Sequence, residues 1–238
     1  MKHDNSRGAL VLGVLICAGL GLLGWQVADG LAKFRSHERT VVVKGLAEKE
    51  LPADVVIWPI KFNVVDNDLD ALFAAIEEKA GKINHFLKSH GFAENNISLG
   101  APKIVDRQAQ TYSKEAPLFR YAAHGIITVY TSEIDRVRQA TADLLELGKS
   151  GVALTGQDYD SRTEYLYTRL NDIKPEMIAE ATRNARQVAE KFAQDSDSRL
   201  GKIKRARQGQ FSIDDRDSNT PHIKKVRVVS TVEYYLAD

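Results

Sequence analysis

Thiols are nearly absent from this chain. Its one cysteine, Cys17, lies in an apolar N-terminal stretch, so the remainder has no thiol for a disulfide, a cysteine-ligated zinc site or a cysteine nucleophile. Charge of a single sign is also missing: 33 Lys and Arg stand against 32 Asp and Glu, for a formal net charge of +1. A chain so balanced has no overall field to collect polyanions, and nucleic acid is not expected as a partner.

Motifs that carry chemistry are scarce as well. Gly148-Lys149-Ser150 has the end of a phosphate-binding loop, but the position five before Gly148 is Asp143 rather than glycine, and a helix rather than a strand leads into it. Helix termination is the better reading. His85 and His90 are five apart on one expected helix, which does not stack two ligands on one face, while His124 and His222 stand singly in other segments. The acidic groups Asp158, Asp160, Glu164 and Asp214, Asp215, Asp217 lack the glycine and terminal glutamate of a calcium loop and read as solvated loop charge. Tyr165, Tyr167, Tyr234 and Tyr235 read as sheet-packing aromatics. No catalytic, cofactor-binding or metal-ligating residue is assigned, no cofactor is expected, and the chain is not expected to be an enzyme.

What the sequence does contain begins with a run from Gly8 to Ala28 that carries no charge and only Gln26 as a polar side chain. About 21 residues at about 1.5 Å each cover roughly 30 Å, the thickness of a bilayer's hydrocarbon core. The run is too long for a signal peptide's apolar region. Cleavage after Ala32, where Gly30-Leu31-Ala32 offers small residues, is the alternative, but Asp29 and the length favour an uncleaved transmembrane signal anchor. The expected organisation is a tail over 1–7, the anchor over 8–28, a linker over 29–39 and one α+β domain over 40–238. Ala9, Gly13, Cys17 and Gly21 recur every fourth position and would let two such helices approach closely.

Beyond the linker, Thr40–Gly45 and Val55–Val65 are β-branched runs separated by a turn of Glu48, Lys49, Pro52, Ala53 and Asp54, a pattern that predicts a β-hairpin. Pro59 inside the second run marks that strand as an edge or a bulge. Leu69, Leu72, Phe73, Ile76, Ala80, Ile83 and Leu87 repeat at helical spacing up to Gly91. Strands are expected over 97–105 and 120–130, flanking a polar loop over 107–117. A shorter helix should open at Ser132 and stop at Gly148, with strands over 152–158 and 164–170 after it. The longest helix should start near Pro175 and bury Ile178, Ala181, Ala185, Val188, Ala189 and Phe192. A strand over 200–207, a polar loop over 208–221 and an alternating strand over 223–236, with Val226, Val228, Val232 and Tyr234 inward, complete the pattern. Strands in hairpins separated by amphipathic helices make an α+β class with antiparallel pairing. Lys202, Lys204, Arg205 and Arg207, with Lys224, Lys225 and Arg227, would form a positive stripe if those strands pair; alternation on a solvated face is the simpler account.

Val41-Val42-Val43-Lys44-Gly45 with Glu48, then Pro52-Ala53-Asp54, resembles the opening of SIMPL-domain proteins. Glu180–Ala193, followed by Leu200-Gly201-Lys202-Ile203, is similar to that family's alanine-rich helix and next strand. The resemblance spans roughly Thr40 to Leu236. It implies a bacterial envelope domain, exported, inclined to form a homo-oligomer and linked to oxidative-stress defence, without an established catalytic set. With the anchor it places the chain in the bacterial inner membrane, single-pass, with the C-terminal domain in the periplasm. The bilayer and an envelope protein are then the expected partners, and an accessory of an envelope transport system that binds a ligand or partner is the alternative role. Gly45, Pro52 and Asp54 read as turn chemistry.

Overall fold

The computed structural model describes residues 4–36, 39–110, 117–155 and 162–237. The first element is helix α1 (Asp4–Ser36), whose apolar side chains from Leu10 to Val27 are exposed wherever they are described. Among the described residues no helix is long and apolar enough to cross a membrane. The rest is α+β, built from two sheets and their helices.

Strand β1 (Thr40–Pro52) is followed after two residues by β2 (Val55–Asp66), yet the two do not form the expected hairpin. They belong to different sheets. Glu48 to Pro52, expected as a turn, continues β1, and the two residues between the strands bond elsewhere: Ala53 N–H to the His222 carbonyl and Asp54 N–H to the Leu166 carbonyl, both at 2.8 Å.

By contact density the chain divides into two compact units. The first comprises Met1–Glu48, Lys174–Phe211 and Arg227–Asp238; the second comprises Lys49–Ile173 and Ser212–Val226.

In the second unit β2 pairs antiparallel with β5 (Tyr121–Thr131) along its length, and β5 also carries β3 (Ile97–Leu99) and β4 (Lys103–Asp106). The expected strand over 97–105 is therefore broken around Gly100 to Pro102. On the other side of β2 lies β6 (Glu164–Leu166), which reaches only Val55–Ile57. The expectation that Pro59 marks an edge or a bulge is corrected: β2 lies between β5 and β6 and its register with β5 is unbroken, and Pro59 is accommodated because it lies past the end of β6. Alternate β2 residues Val56, Trp58, Ile60, Phe62 and Val64 are buried. They meet α2 (Leu69–Ser89), opened by the Asp68 carboxylate accepting from Ala71 N–H at 2.9 Å and closed before Gly91 at φ 82°. Helices α4 (Ile134–Ala142) and α5 (Leu144–Lys149) add Val137, Ala140 and Leu147 to the same core. The four-residue helix α3 (Arg107–Gln110) opens the expected polar loop, and positions 111–116 lie outside the described residues.

Three expectations in this stretch are corrected. Ser132 does not cap α4, because Glu133 holds that position and no side chain caps it. The left-handed glycine after α5 is Gly151, φ 88°, not Gly148. The strand expected over 152–158 is represented among described residues by a single bridge, Leu154 to Phe62.

In the first unit, helix α6 (Leu170–Asp195), counted from Lys174, packs on β1 and β9 (Ile223–Ala237). Strand β7 (Arg199–Gln208) pairs antiparallel with β9. Strand order is β1-β9-β7; the four-residue β8 (Ser212–Asp215), which belongs to the second unit, pairs β9 inside the expected polar loop. α6 begins five residues before Pro175, and Leu170, expected as strand, is its first residue. Its buried face is also narrower than expected: Met177, Ala181, Ala185, Ala189 and Ala193 are buried, while Val188 and Phe192 are exposed at 41% and 54%. The cause is Gly45. It sits in mid-strand, not in a turn, and a Cβ there would fall on the Ala181 carbonyl and the Ala185 backbone. Small residues on both elements bring helix and strand so close that only the alanine stripe fits between them.

Candidate functional site

In the second unit, α4 places Asp135, Arg138 and Thr141 at i, i+3 and i+6, near one side of the helix. Strand β6 holds Tyr165 opposite Val56, and the Tyr165 ring leans half-buried against the main core. The turn from β8 to β9 supplies Ser218, Pro221 and His222. That turn is built by the Asp217 carboxylate, which accepts from the N–H groups of Asn219 and Thr220 at 2.8 Å and from the Thr220 hydroxyl. Arg216 donates to Asp217 at 3.1 Å, and these donors together hold the Asp217 carboxyl far below its usual range, the Thr220 hydroxyl being the largest cause. The His222 ring meets Tyr165 edge-on, centroids 6.1 Å apart at 64°.

Two clefts open beside this pair. One, of about 510 Å³, is lined by Ala53, Ser132, Glu133, Arg136, Gln139 and His222 among others. The other, of about 310 Å³, is bounded by Arg138, Arg162, Thr163, Tyr165 and the Ser218–Pro221 side of the turn. Arg138 lies 3.4 Å from Asp135 and Arg162 lies 3.4 Å from Asp215, whose carboxylate also takes the ammonium of Lys224. Burial, then Arg138 and Arg216, pushes the His222 imidazole below its usual value, so it stays neutral to lower pH. Burial raises the Tyr165 phenol, against the field of Arg138, so the phenol keeps its proton. Among the described residues no hydrogen bond joins the His222 ring to a hydroxyl or carboxylate. The arrangement offers hydrogen-bond donors and positive charge rather than a base aligned on a nucleophile.

The residues weighed in the sequence fall mostly elsewhere. Gly148-Lys149-Ser150 ends α5, as helix termination requires. His90 caps the end of α2, its Nδ1 at 2.9 Å from the Phe86 carbonyl and its Nε2 at 3.2 Å from Asp143; His124 Nδ1 lies 2.7 Å from Asn63 Oδ1. His85 faces a third cleft between α2 and α5. Among the described residues no group of three or more His, Cys, Asp or Glu is placed to hold a metal. Asp158 and Asp160 lie outside the described residues. The positive stripe is interrupted: Lys224 is buried on Asp215, Lys204 pairs with Glu233 and Arg227 with Glu48. Asp54 does more than start a turn. Its carboxylate accepts from Thr168 N–H at 2.9 and 3.0 Å and from Arg169 N–H at 3.1 Å, pinning the corner that leads into α6. Arg138, Arg162 and Ser218 went unnoticed in the sequence because no spacing links three segments brought together only by folding.

No curated protein matches this chain. A family model described as SIMPL, a protein of unknown function (DUF541), matches residues 41–233. That interval runs from β1 into β9 and takes in both sheets, α6 and the Arg138–His222 region, and on it the chain belongs to the SIMPL family.

Proposed function

We propose that the chain is a membrane-anchored protein of the bacterial envelope whose domain lies in the periplasm, self-associates and works by binding rather than catalysis. The observation that carries this reading is α1. Leu10, Leu12, Val14, Leu15, Ile16, Leu20, Leu22, Leu23, Trp25 and Val27 are exposed on every side of it. A helix apolar all round needs apolar surroundings. Its side chains are described without a break from Leu12 to Ala28, about 17 residues and roughly 26 Å, somewhat short of a bilayer core. The uncharged run in the sequence, Gly8 to Ala28, is about 21 residues and reaches roughly 30 Å.

Self-association is supported by the open strands β1 and β7 at the edges of the first unit's sheet, and by Val42, Phe192 and Ile203, exposed there at about half their surface. A role in oxidative-stress tolerance is an expectation from the family resemblance. Two measurements test the reading. Carbonate-washed membranes should retain the protein, and the detergent-extracted chain should show one discrete oligomer by light scattering. Release into the wash removes the anchor, and a monomer removes the self-association.

The polar clefts beside His222 favour a second reading, an accessory that binds a small ligand or partner, because the turn carrying Ser218 and Pro221 forms the wall of one of them.

A further inference from the structure

The cleft of about 310 Å³ has a lopsided lining. Arg138 and Arg162 face it, and among the described residues no carboxylate does. Each guanidinium spends one N–H on a neighbouring carboxylate at 3.4 Å, the long limit of such a bond, and among the described residues its other donors have no acceptor. Among the described residues the hydroxyls of Thr163 and Ser218 and the phenol of Tyr165 make no hydrogen bond, and burial keeps the phenol protonated as a donor. Thr141, whose hydroxyl already donates to the Val137 carbonyl at 2.7 Å, fills the floor without competing. Among the described residues Arg138 pairs with Asp135, while Arg162 and Lys224 share the single carboxylate of Asp215.

We propose that this cleft binds the phosphate group of a small soluble phosphate monoester. A carboxylate offers about four lone-pair positions in one plane, whereas a phosphate spreads more acceptors over a tetrahedron, which suits two guanidinium forks and three hydroxyls arriving from α4, β6 and the β8–β9 turn. The Tyr165 face and the Pro221 ring are the apolar walls for the few carbons the remaining volume holds. The site rests on the second, ligand-binding reading above and gives that reading a chemistry.

The test is calorimetric titration of the detergent-solubilised full chain with inorganic phosphate, then with glycerol 3-phosphate, at constant ionic strength and pH 7.5. Saturable binding is expected, with glycerol 3-phosphate tighter than phosphate and acetate at least tenfold weaker. Arg138→Gln and Arg162→Gln should each weaken phosphate by about tenfold or more, Arg162→Lys by less, because it keeps charge but loses the fork. Lys82→Gln, in the cleft between α2 and α5, should change nothing. Both arginines are half-exposed, so folding should survive. If an arginine variant melts early, Ser218→Ala and Tyr165→Phe replace it, each expected to weaken binding about threefold. The proposal is overturned if acetate binds as tightly as phosphate, or if Lys82→Gln weakens phosphate as much as the arginine variants do. Saturable binding that both arginine variants leave intact places the ligand elsewhere and sinks this site while sparing the ligand-binding reading. The absence of saturable heat with either phosphate up to 10 mM, roughly the weakest affinity at which a small ligand is specific, sinks this proposal alone, since a protein partner would still satisfy that reading.

Discussion

The two units hold themselves together in opposite ways. The second fills its core with volume: Trp58, Phe62, Leu72, Ile83, Leu87 and Ile127 are fully buried, and Trp58 meets Phe92 with ring centroids 6.1 Å apart. The first has a core of Val43, Ala185, Ala189, Val232 and Tyr234, in which helix and strand backbones nearly touch at Gly45. Where bulk does the packing, backbone elements stand apart and clefts open between them. Where closeness does it, larger apolar residues such as Phe192 are left outside.

The largest expected effect sharpens this contrast by removing volume. Phe62 has no exposed surface and its ring lies over Gly125, where a Cβ would strike it. Phe62→Ala should cost about 4 kcal/mol, from lost transfer energy and the cavity left behind. Ala185→Gly, which thins the first unit's core by one methyl, should cost only about 1 kcal/mol, mostly helix propensity. Urea unfolding of both variants checks the ratio, and equal costs would break the comparison.

Adding volume should reverse the order. Gly45→Ala drives a methyl into the α6 backbone, which no rotamer change relieves, and about 3 kcal/mol of stability should be lost. Gly81→Ala, on an open face of α2 with nothing within 4 Å, should instead gain about 0.5–1 kcal/mol. Thermal melts of the pair decide it, and a Gly45→Ala protein that melts like wild type would show that α6 is free to retreat.

How far the sequence could be read follows the same division. Period-two burial in β9 and helical spacing in α2 were legible, because a large side chain announces which face is buried. An alanine stripe announces less: hydrophobicity points Val188 and Phe192 inward, but the Gly45 approach leaves them no room. The β1–β2 hairpin pattern misleads for a different reason. Two β-branched runs joined by Pro-Ala-Asp look locally like partners, but pairing is set by distant strands, β9 for β1 and β5 for β2. Of the candidate site, Tyr165 and His222 were visible only as isolated residues. The donors that give the cleft its character, Arg138 and Arg162, carry no signal distinguishing them from other surface arginines.

A smaller effect tests the corner before α6. Asp54→Ala removes the acceptor of two backbone N–H groups and should cost about 1–2 kcal/mol, with Asp54→Asn costing less because one amide oxygen still accepts. Faster hydrogen exchange at Thr168 and Arg169, with no change at Phe62, is the local signature.

The smallest effect is electrostatic and belongs to the second unit alone. His222 titrates below its ordinary value of 6.5 in the folded chain because burial and the fields of Arg138 and Arg216 disfavour the imidazolium, outweighing Asp135 and Asp217. In the window below pH 6.5 the unfolded chain therefore binds more protons than the folded one, and stability must fall with decreasing pH. The contribution is fully present above 6.5 and is lost as pH drops through the folded value. The lowered carboxyls of Asp217, Asp106 and Glu78 act in the same direction but only in more acid solution, below their ordinary values of 3.8 to 4.5. Denaturant midpoints between pH 7 and 5 thus isolate the histidine. His222→Gln should flatten that slope, and Arg138→Gln should reduce it in part by removing one of the two positive neighbours. A slope that survives His222→Gln unchanged would mean that the imidazole is already free to protonate, and the positive field inferred beside Tyr165 would fall with it.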